Sequence, residues 1–276
     1  MYACDFEYDG KKLSDFGFVV CDITESSGFE TVSAGSQIVF NKVSMHSGQT
    51  WGLAGTKYQD CIQTTFHICK DTSDGTSQMI SSEEFRSIMR WLNRRRFLRF
   101  RFTSPDESST RCYYNASFNV SRNVINKDTY ALELVMETDA PFGYGETVTE
   151  SWTSASANAS HIIQNKSDEI GYIYPDLKIT CQSAGDLSIS SDIGACTMVV
   201  KNCSVGEVIT IDNARHIISS SLAAHKLHKD FNFEFFRLGS TYNTIANTIT
   251  TSIPCSVEIS YDPIIKDSPE GIDIWQ

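Results

Sequence analysis

Ile62-Gln63-Thr64-Thr65-Phe66-His67-Ile68-Cys69 alternates apolar with polar side chains along its length. An extended chain sends successive side chains to opposite faces, so this stretch reads as a half-buried strand with Ile62, Thr64, Phe66 and Ile68 on the inner face. The same period returns at Leu98, Phe100 and Phe102 against Arg99 and Arg101, at Tyr114, Ala116, Phe118 and Val120, and at Leu132, Leu134 and Met136 against Glu133 and Glu137. A second series follows at Ile173, Leu177 and Ile179, at Val208 to Ile211, at Phe231, Phe233 and Phe235, and at Val257, Ile259 and Tyr261, with turn-rich sequence between. Many short strands joined by turns predict a mainly β chain of antiparallel sandwiches or barrels.

One segment breaks this period. Phe85, Ile88, Met89 and Leu92 fall at i, i+3, i+4 and i+7 and predict one amphipathic helix from about Ser82 to Arg95. Ser81 and Glu84 have the spacing of a capping box, with Ile80 placed to staple onto Phe85. The opposite face carries Arg86, Arg90 and Arg94 and runs on into Arg95 and Arg96. Such a stripe is ordinarily a solvated helix face, and otherwise a grip for phosphate or an acidic partner.

The chain has 276 residues, enough for about two domains. Periodicity lapses in Thr147 to Ala159, after the turn-like Pro141-Phe142-Gly143-Tyr144-Gly145, so the boundary is placed near residue 146. This gives domains 1–146 and 147–276, with Trp152 on a first edge strand of the second.

Hydrophobic residues make up 41% and charged residues 21%, with a net charge of −11, a folded and acidic composition. Repulsion from phosphate disfavours general binding to nucleic acid or anionic lipid. No apolar run is long enough to cross a bilayer, and the start MYACDFEYDGKK lacks a basic region followed by an apolar one, so neither membrane insertion nor secretion is expected. The nine cysteines contain no CxxC pair and read as reduced, mostly buried small hydrophobes. Five glycosylation-type strings, beginning at Asn115, Asn119, Asn158, Asn165 and Asn202, are discounted for want of a secretory route.

Catalytic chemistry needs convergent ionisable groups or ligands at fixed spacing, and little of either is present. His225 and His228, with His216 and Asp212 upstream, are the nearest approach to a metal set, but they lie in a polar turn region and read as loop residues. Gly143-Tyr144-Gly145 lacks the third glycine and following helix of a dinucleotide loop. No catalytic residue, metal or cofactor is assigned. The competing functional reading is a carbohydrate-binding or glycan-processing pair of sandwiches, with Trp152, Tyr172, Tyr174 and Tyr242 as stacking rings, although such residues more often pack a core or an edge.

Glu25 to Lys57 is rich in glycine and serine, yet holds Phe40, Val43, Trp51 and Leu53. That is too apolar for a free linker and predicts an ordered, protruding arm or hairpin.

Taken together, Phe6-Glu7-Tyr8-Asp9-Gly10-Lys11 with Leu13, Asp15, Phe16 and Gly17, the order strand, capped helix with Trp91-Leu92, three strands, and the closing Pro141-Phe142-Gly143-Tyr144-Gly145 resemble the distal tail proteins (Dit) of long, flexible-tailed bacteriophages. Pro175-Asp176-Leu177-Lys178-Ile179, Gly206-Glu207-Val208-Ile209-Thr210-Ile211-Asp212 and Val257-Glu258-Ile259-Ser260-Tyr261 resemble that family's galectin-like terminal sandwich. The resemblance implies two antiparallel sandwich-type domains, the second galectin-like, in a structural virion protein. It also implies a homo-hexameric ring at the end of the tail, docked to the tail tube protein and the tail-tip hub protein, with receptor-binding proteins around it. Phe40, Trp51 and Leu53 are then the candidate ring interface, and no spare segment remains for an inserted carbohydrate module.

Overall fold

The computed structural model describes residues 5–21, 37–46, 48, 50–73, 75–103, 112–213 and 215–266. The chain divides into two compact units, one running to Tyr144 and the other spanning Gly145–Ile265. The architecture is mainly β and antiparallel, with one amphipathic helix in the first unit.

In the first unit the strands are β1 (Asp5–Tyr8), β2 (Lys11–Lys12), β3 (Phe18–Cys21), β4 (Ile38–Ser44), β5 (Trp51–Tyr58) and β6 (Gln63–Lys70). After helix α1 (Ser82–Leu92) come β7 (Leu98–Thr103), β8 (Tyr114–Ile125), β9 (Asp128–Thr138) and the short β10 (Gly143–Tyr144). Seven of them form a sheet in the order β2-β1-β7-β8-β9-β6-β3, while β4 and β5 form a separate two-stranded sheet among the described residues. The rings of Phe6 on β1 and Phe66 on β6 lie 5.8 Å apart although three strands stand between theirs in the sheet. In a flat sheet those strands would be about 19 Å apart, at roughly 4.8 Å per step. The sheet therefore curls round an aromatic core that also takes in Phe100 and Phe118.

Helix α1 closes that core. Its buried face is Ile88, Trp91 and Leu92. The Trp91 ring stacks on Phe16 at 4.4 Å and on Phe6 at 5.6 Å, and its indole N–H donates to the Tyr8 carbonyl at 3.0 Å. The capping box is present in both directions, Ser81 Oγ accepting from the Glu84 N–H and Glu84 Oε2 from the Ser81 N–H. The helix stops three residues before the expected Arg95. Asn93 leaves helical geometry and donates from its side chain to the Phe118 carbonyl, while Ser117 Oγ donates to the Arg94 carbonyl, so β8 takes the chain over. Arg94 Nε then satisfies the otherwise open Trp91 carbonyl.

In the second unit the strands are β11 (Val148–Ser154), β12 (Ala159–Gln164), β13 (Gly171–Ile173), β14 (Asp176–Cys181), β15 (Gly185–Ser191), β16 (Cys196–Cys203), β17 (Val208–Asp212) and β18 (Ile217–Ser220). The one-turn helix α2 (Leu227–Asp230) precedes β19 (Leu238–Ser240), β20 (Ala246–Thr251) and β21 (Cys255–Tyr261). A five-stranded sheet β11-β21-β14-β17-β18 and a four-stranded sheet β12-β20-β15-β16 share one core. On the first, Ile179 stands opposite Val257 and Ile209; from the second, Ile189, Met198, Val200 and Ile249 meet them, all buried. This is a sandwich with alternate residues of each strand inward.

Phe231 to Phe235 is not the expected strand. Phe231 makes a single bridge to Val200, and Phe233 has a left-handed φ of 60°, which breaks the extended run. The rings of Phe233 and Phe235 instead each pack on that of Phe231, at 5.5 and 5.2 Å. An alternation of phenylalanines marks a strand only where the backbone finds a ladder partner, and this segment has one residue of it.

Candidate functional site

The feature that stands out is the hairpin β4–β5. Its ladder pairs Ile38 with Tyr58, Phe40 with Thr56, Lys42 with Leu53 and Ser44 with Trp51, with a bulge where Asn41 faces Gly55. Ala54 is the extra residue. Were Ala54 paired with Lys42 in an unbroken ladder, strict alternation would put Leu53 and Trp51 on the face opposite Phe40; the bulge takes up one residue and reverses the phase of everything beyond it. The bulge thus gathers Ile38, Phe40, Leu53 and Trp51 on one face. The three residues singled out from the sequence are brought together, and all are exposed: Phe40 54%, Trp51 65% and Leu53 62%. Val43 and Met45 are exposed as well.

At its base the hairpin is tied down by the Gln59 N–H donating to the Gln37 carbonyl and by an edge-to-face contact of Tyr58 with Phe142. Residues 37–58 contain Lys42 and Lys57 but no Asp or Glu, in a chain whose net charge is −11. The arm is therefore apolar and locally cationic. An isolated two-stranded hairpin is marginal in water, and exposed apolar patches on a monomer mark interaction surfaces.

The other sequence candidates are dispersed. Arg86, Arg90, Arg95 and Arg96 lie exposed on or just beyond α1. His225 and His228 do not share a helical face, because α2 starts after His225. Asp212 pairs with Arg215 at 3.5 Å, and His216 packs its ring against Phe235 at 4.6 Å. These four residues do not converge, and among the described residues no group of three or more metal-ligating side chains does. Of the candidate stacking rings, Trp152 is half-buried and parallel to His161 at 4.5 Å, whereas Tyr172 and Tyr174 are exposed on neighbouring positions of one strand end. Tyr242 is almost wholly exposed.

Sequence reading missed one buried polar cluster. Glu207, wholly buried, receives the Ser220 hydroxyl at 2.5 Å and the Ser204 N–H at 2.8 Å, and its Oε1 lies 2.5 Å from His225 Nδ1. His225 Nε2 faces Asp230 at 3.5 Å. Burial alone would raise the Glu207 carboxyl, but the bonds from Ser220 and His225 outweigh it and hold the group below its ordinary value. Burial alone would lower His225, and its bond and attraction to Glu207 raise it instead. The cluster pins the 221–230 segment to β17 and β18; the partners lie 18 residues apart, and no local pattern announces them.

Comparison with known proteins gives this surface its setting. A family model described as a phage tail protein N-terminal domain matches residues 1–140. A second, described as a phage tail C-terminal domain, matches residues 142–261. No curated protein matches the chain. Among solved structures, the crystal structure of the Dit protein of SPP1 aligns with a TM-score of 0.62 over 94% of this chain and 98% of that one, at 14% identity, which shows a shared fold. That protein is described as a paradigm of the hub adsorption apparatus in phages infecting Gram-positive bacteria. The chain belongs to the phage tail protein family described by the two matching models and is a structural component of the virion.

Proposed function

We propose that this phage tail protein closes a homo-hexameric ring at the distal end of the tail, and that the β4–β5 hairpin is the contact between neighbouring subunits. The observation that carries the reading is the single face on which Ile38, Phe40, Trp51 and Leu53 stand exposed. Burying four such side chains supplies about 6–12 kcal/mol before the entropy cost of association, at ~1.5–3 kcal/mol each. A neighbouring copy is the occupant because the rest of the chain is acidic and the arm is not, so arm and body of successive subunits attract head to tail. A heterologous contact of that kind closes into a ring when its rotation divides a full turn.

In this reading the ring is a non-enzymatic connector assembled in the cytoplasm of the infected bacterium. One side docks the tail tube protein, the other the tail-tip hub protein, and receptor-binding proteins surround it. The shared fold with a hub protein of an adsorption apparatus supports that placement. An acidic subunit also suits a channel through which DNA passes without being gripped. The experiment is reconstitution: purified chain mixed with the tail tube and hub proteins of the same particle, followed by size exclusion and imaging. Co-migration of both with a ring supports the connector role, and failure of both to bind an intact ring removes it.

A further inference from the structure

The second unit carries an open cleft of about 260 Å3 lined by Tyr174, Ala195, Cys196, His216, Glu234, Phe235 and Arg237. On β13, Ile173 is buried, so the flanking Tyr172 and Tyr174 both point outward. Arg237 lies between them. Its guanidinium sits 4.1 Å over the Tyr172 ring, while Nε and Nη2 donate to the Gly194 and Ala195 carbonyls at 2.6 and 3.3 Å. Tyr174 and His216 meet nearly at right angles, 6.2 Å between centroids, and form a corner of two aromatic faces. Glu234 sits at the rim with its carboxylate exposed.

Three features show that this cleft is built. The guanidinium is held at three points, the Tyr172 ring and the Gly194 and Ala195 carbonyls, so its remaining donor geometry is fixed before a ligand arrives. Gly194 admits no side chain, since a Cβ there would fall 2.2 Å from the Arg237 carbonyl. Two lining residues, Ala195 and His216, hold left-handed φ angles of 45° and 54°, costly for residues with a Cβ and typical of ligand sites.

The chemistry selects the ligand. Two aromatic faces at a steep angle take an apolar ring face, a planar donor and a carboxylate acceptor take adjacent hydroxyls, and the Tyr174 hydroxyl adds a group that can both donate and accept. The exposed carboxylate and the net charge of −11 disfavour a phosphate or another anion. We propose that this cleft binds a neutral saccharide through Tyr174, His216, Glu234 and Arg237, a role separate from ring closure by the hairpin.

The test is a titration of the full chain with neutral oligosaccharides built from glucose, galactose, rhamnose or N-acetylglucosamine, read by saturation-transfer NMR, with polyglycerol phosphate in parallel. The expected result is saturable binding of at least one neutral saccharide with Kd of about 0.1–10 mM, in the range of a small contact. Tyr174→Ala and the shape-preserving Glu234→Gln each weaken it about tenfold, and Tyr242→Ala leaves it unchanged. Absence of saturable binding overturns the proposal. So does binding that survives both cleft variants, or binding of polyglycerol phosphate alone that fades with salt.

Discussion

Leu53 stands opposite Lys42 in the β4–β5 ladder, while Asn41 stands opposite Gly55, and the unpaired Ala54 between them turns Leu53 and Trp51 to the side of Phe40. The apolar face exists because the bulge takes up that one residue. Deleting Ala54 closes the bulge and leaves Leu53 opposite Lys42 and Trp51 opposite Ser44, still on the side of Phe40. The expected outcome is an oligomer that still forms, with an unaltered unfolding midpoint for the folded units, read by sedimentation and thermal melting. An Ala54 deletion that abolishes assembly contradicts the face assignment.

Trp51→Asp places a charge at the centre of the same face without touching either core, because Trp51 is 65% exposed. Surface substitutions of this kind change subunit stability by less than about 0.5 kcal/mol. At an interface the same change forfeits about 2 kcal/mol or more of burial and leaves an unpaired carboxylate. Assembly should fall by at least tenfold in midpoint concentration, and Phe40→Asp should behave alike.

Trp91 is the joint between helix and sheet: it is buried, stacked on Phe16 and Phe6, and bonded to the Tyr8 carbonyl. Trp91→Phe keeps an aromatic ring but leaves a void and an unsatisfied carbonyl. A loss of about 2–3 kcal/mol is expected in denaturant unfolding. Ser81→Ala, which removes only the cap, should cost about 1 kcal/mol.

The buried Glu207–His225 pair gives the second unit a pH dependence of known sign. His225 is raised above its ordinary value of 6.5, so its contribution is complete below that pH and is lost as pH rises through the raised value. Glu207 is lowered from 4.5, so its contribution is complete above that pH and is lost as pH falls through the lowered value. Hydrogen exchange over residues 221–230 should be slowest between about pH 4.5 and 6.5, after correction for intrinsic rates. His225→Gln should abolish the alkaline loss of protection; parallel profiles for both proteins would refute the assignment.

Strands were legible where both faces had different solvents: Leu132, Leu134 and Met136 are fully buried while Glu137 is exposed, as alternation requires. The helix start was legible because Ser81 and Glu84 satisfy each other within one turn. Its end was not, since Asn93 and Arg94 are captured by Phe118 and Ser117, more than 20 residues away in sequence. Phe231 to Phe235 misled because alternating phenylalanines also suit a ring cluster about a left-handed Phe233. The hairpin's apolar content was readable, but the phase that gathers Phe40, Trp51 and Leu53 depends on where the ladder skips a residue. Arg237 and its cleft depend on contacts with residues more than 40 positions upstream, Gly194 among them.

The central claim is that the hairpin face joins subunits. Its most direct measurement is the sedimentation mass of the purified full chain across a concentration series, with the accessibility of Trp51 to a soluble quencher in each species taken as the difference in tryptophan fluorescence between the chain and its Trp51→Phe variant, since three other tryptophans also emit. The account predicts a species of six times the 30.8 kDa chain mass in which the Trp51 indole is shielded. A closed oligomer whose Trp51 stays as accessible as in the monomer, or a chain that remains monomeric at every concentration, would contradict it.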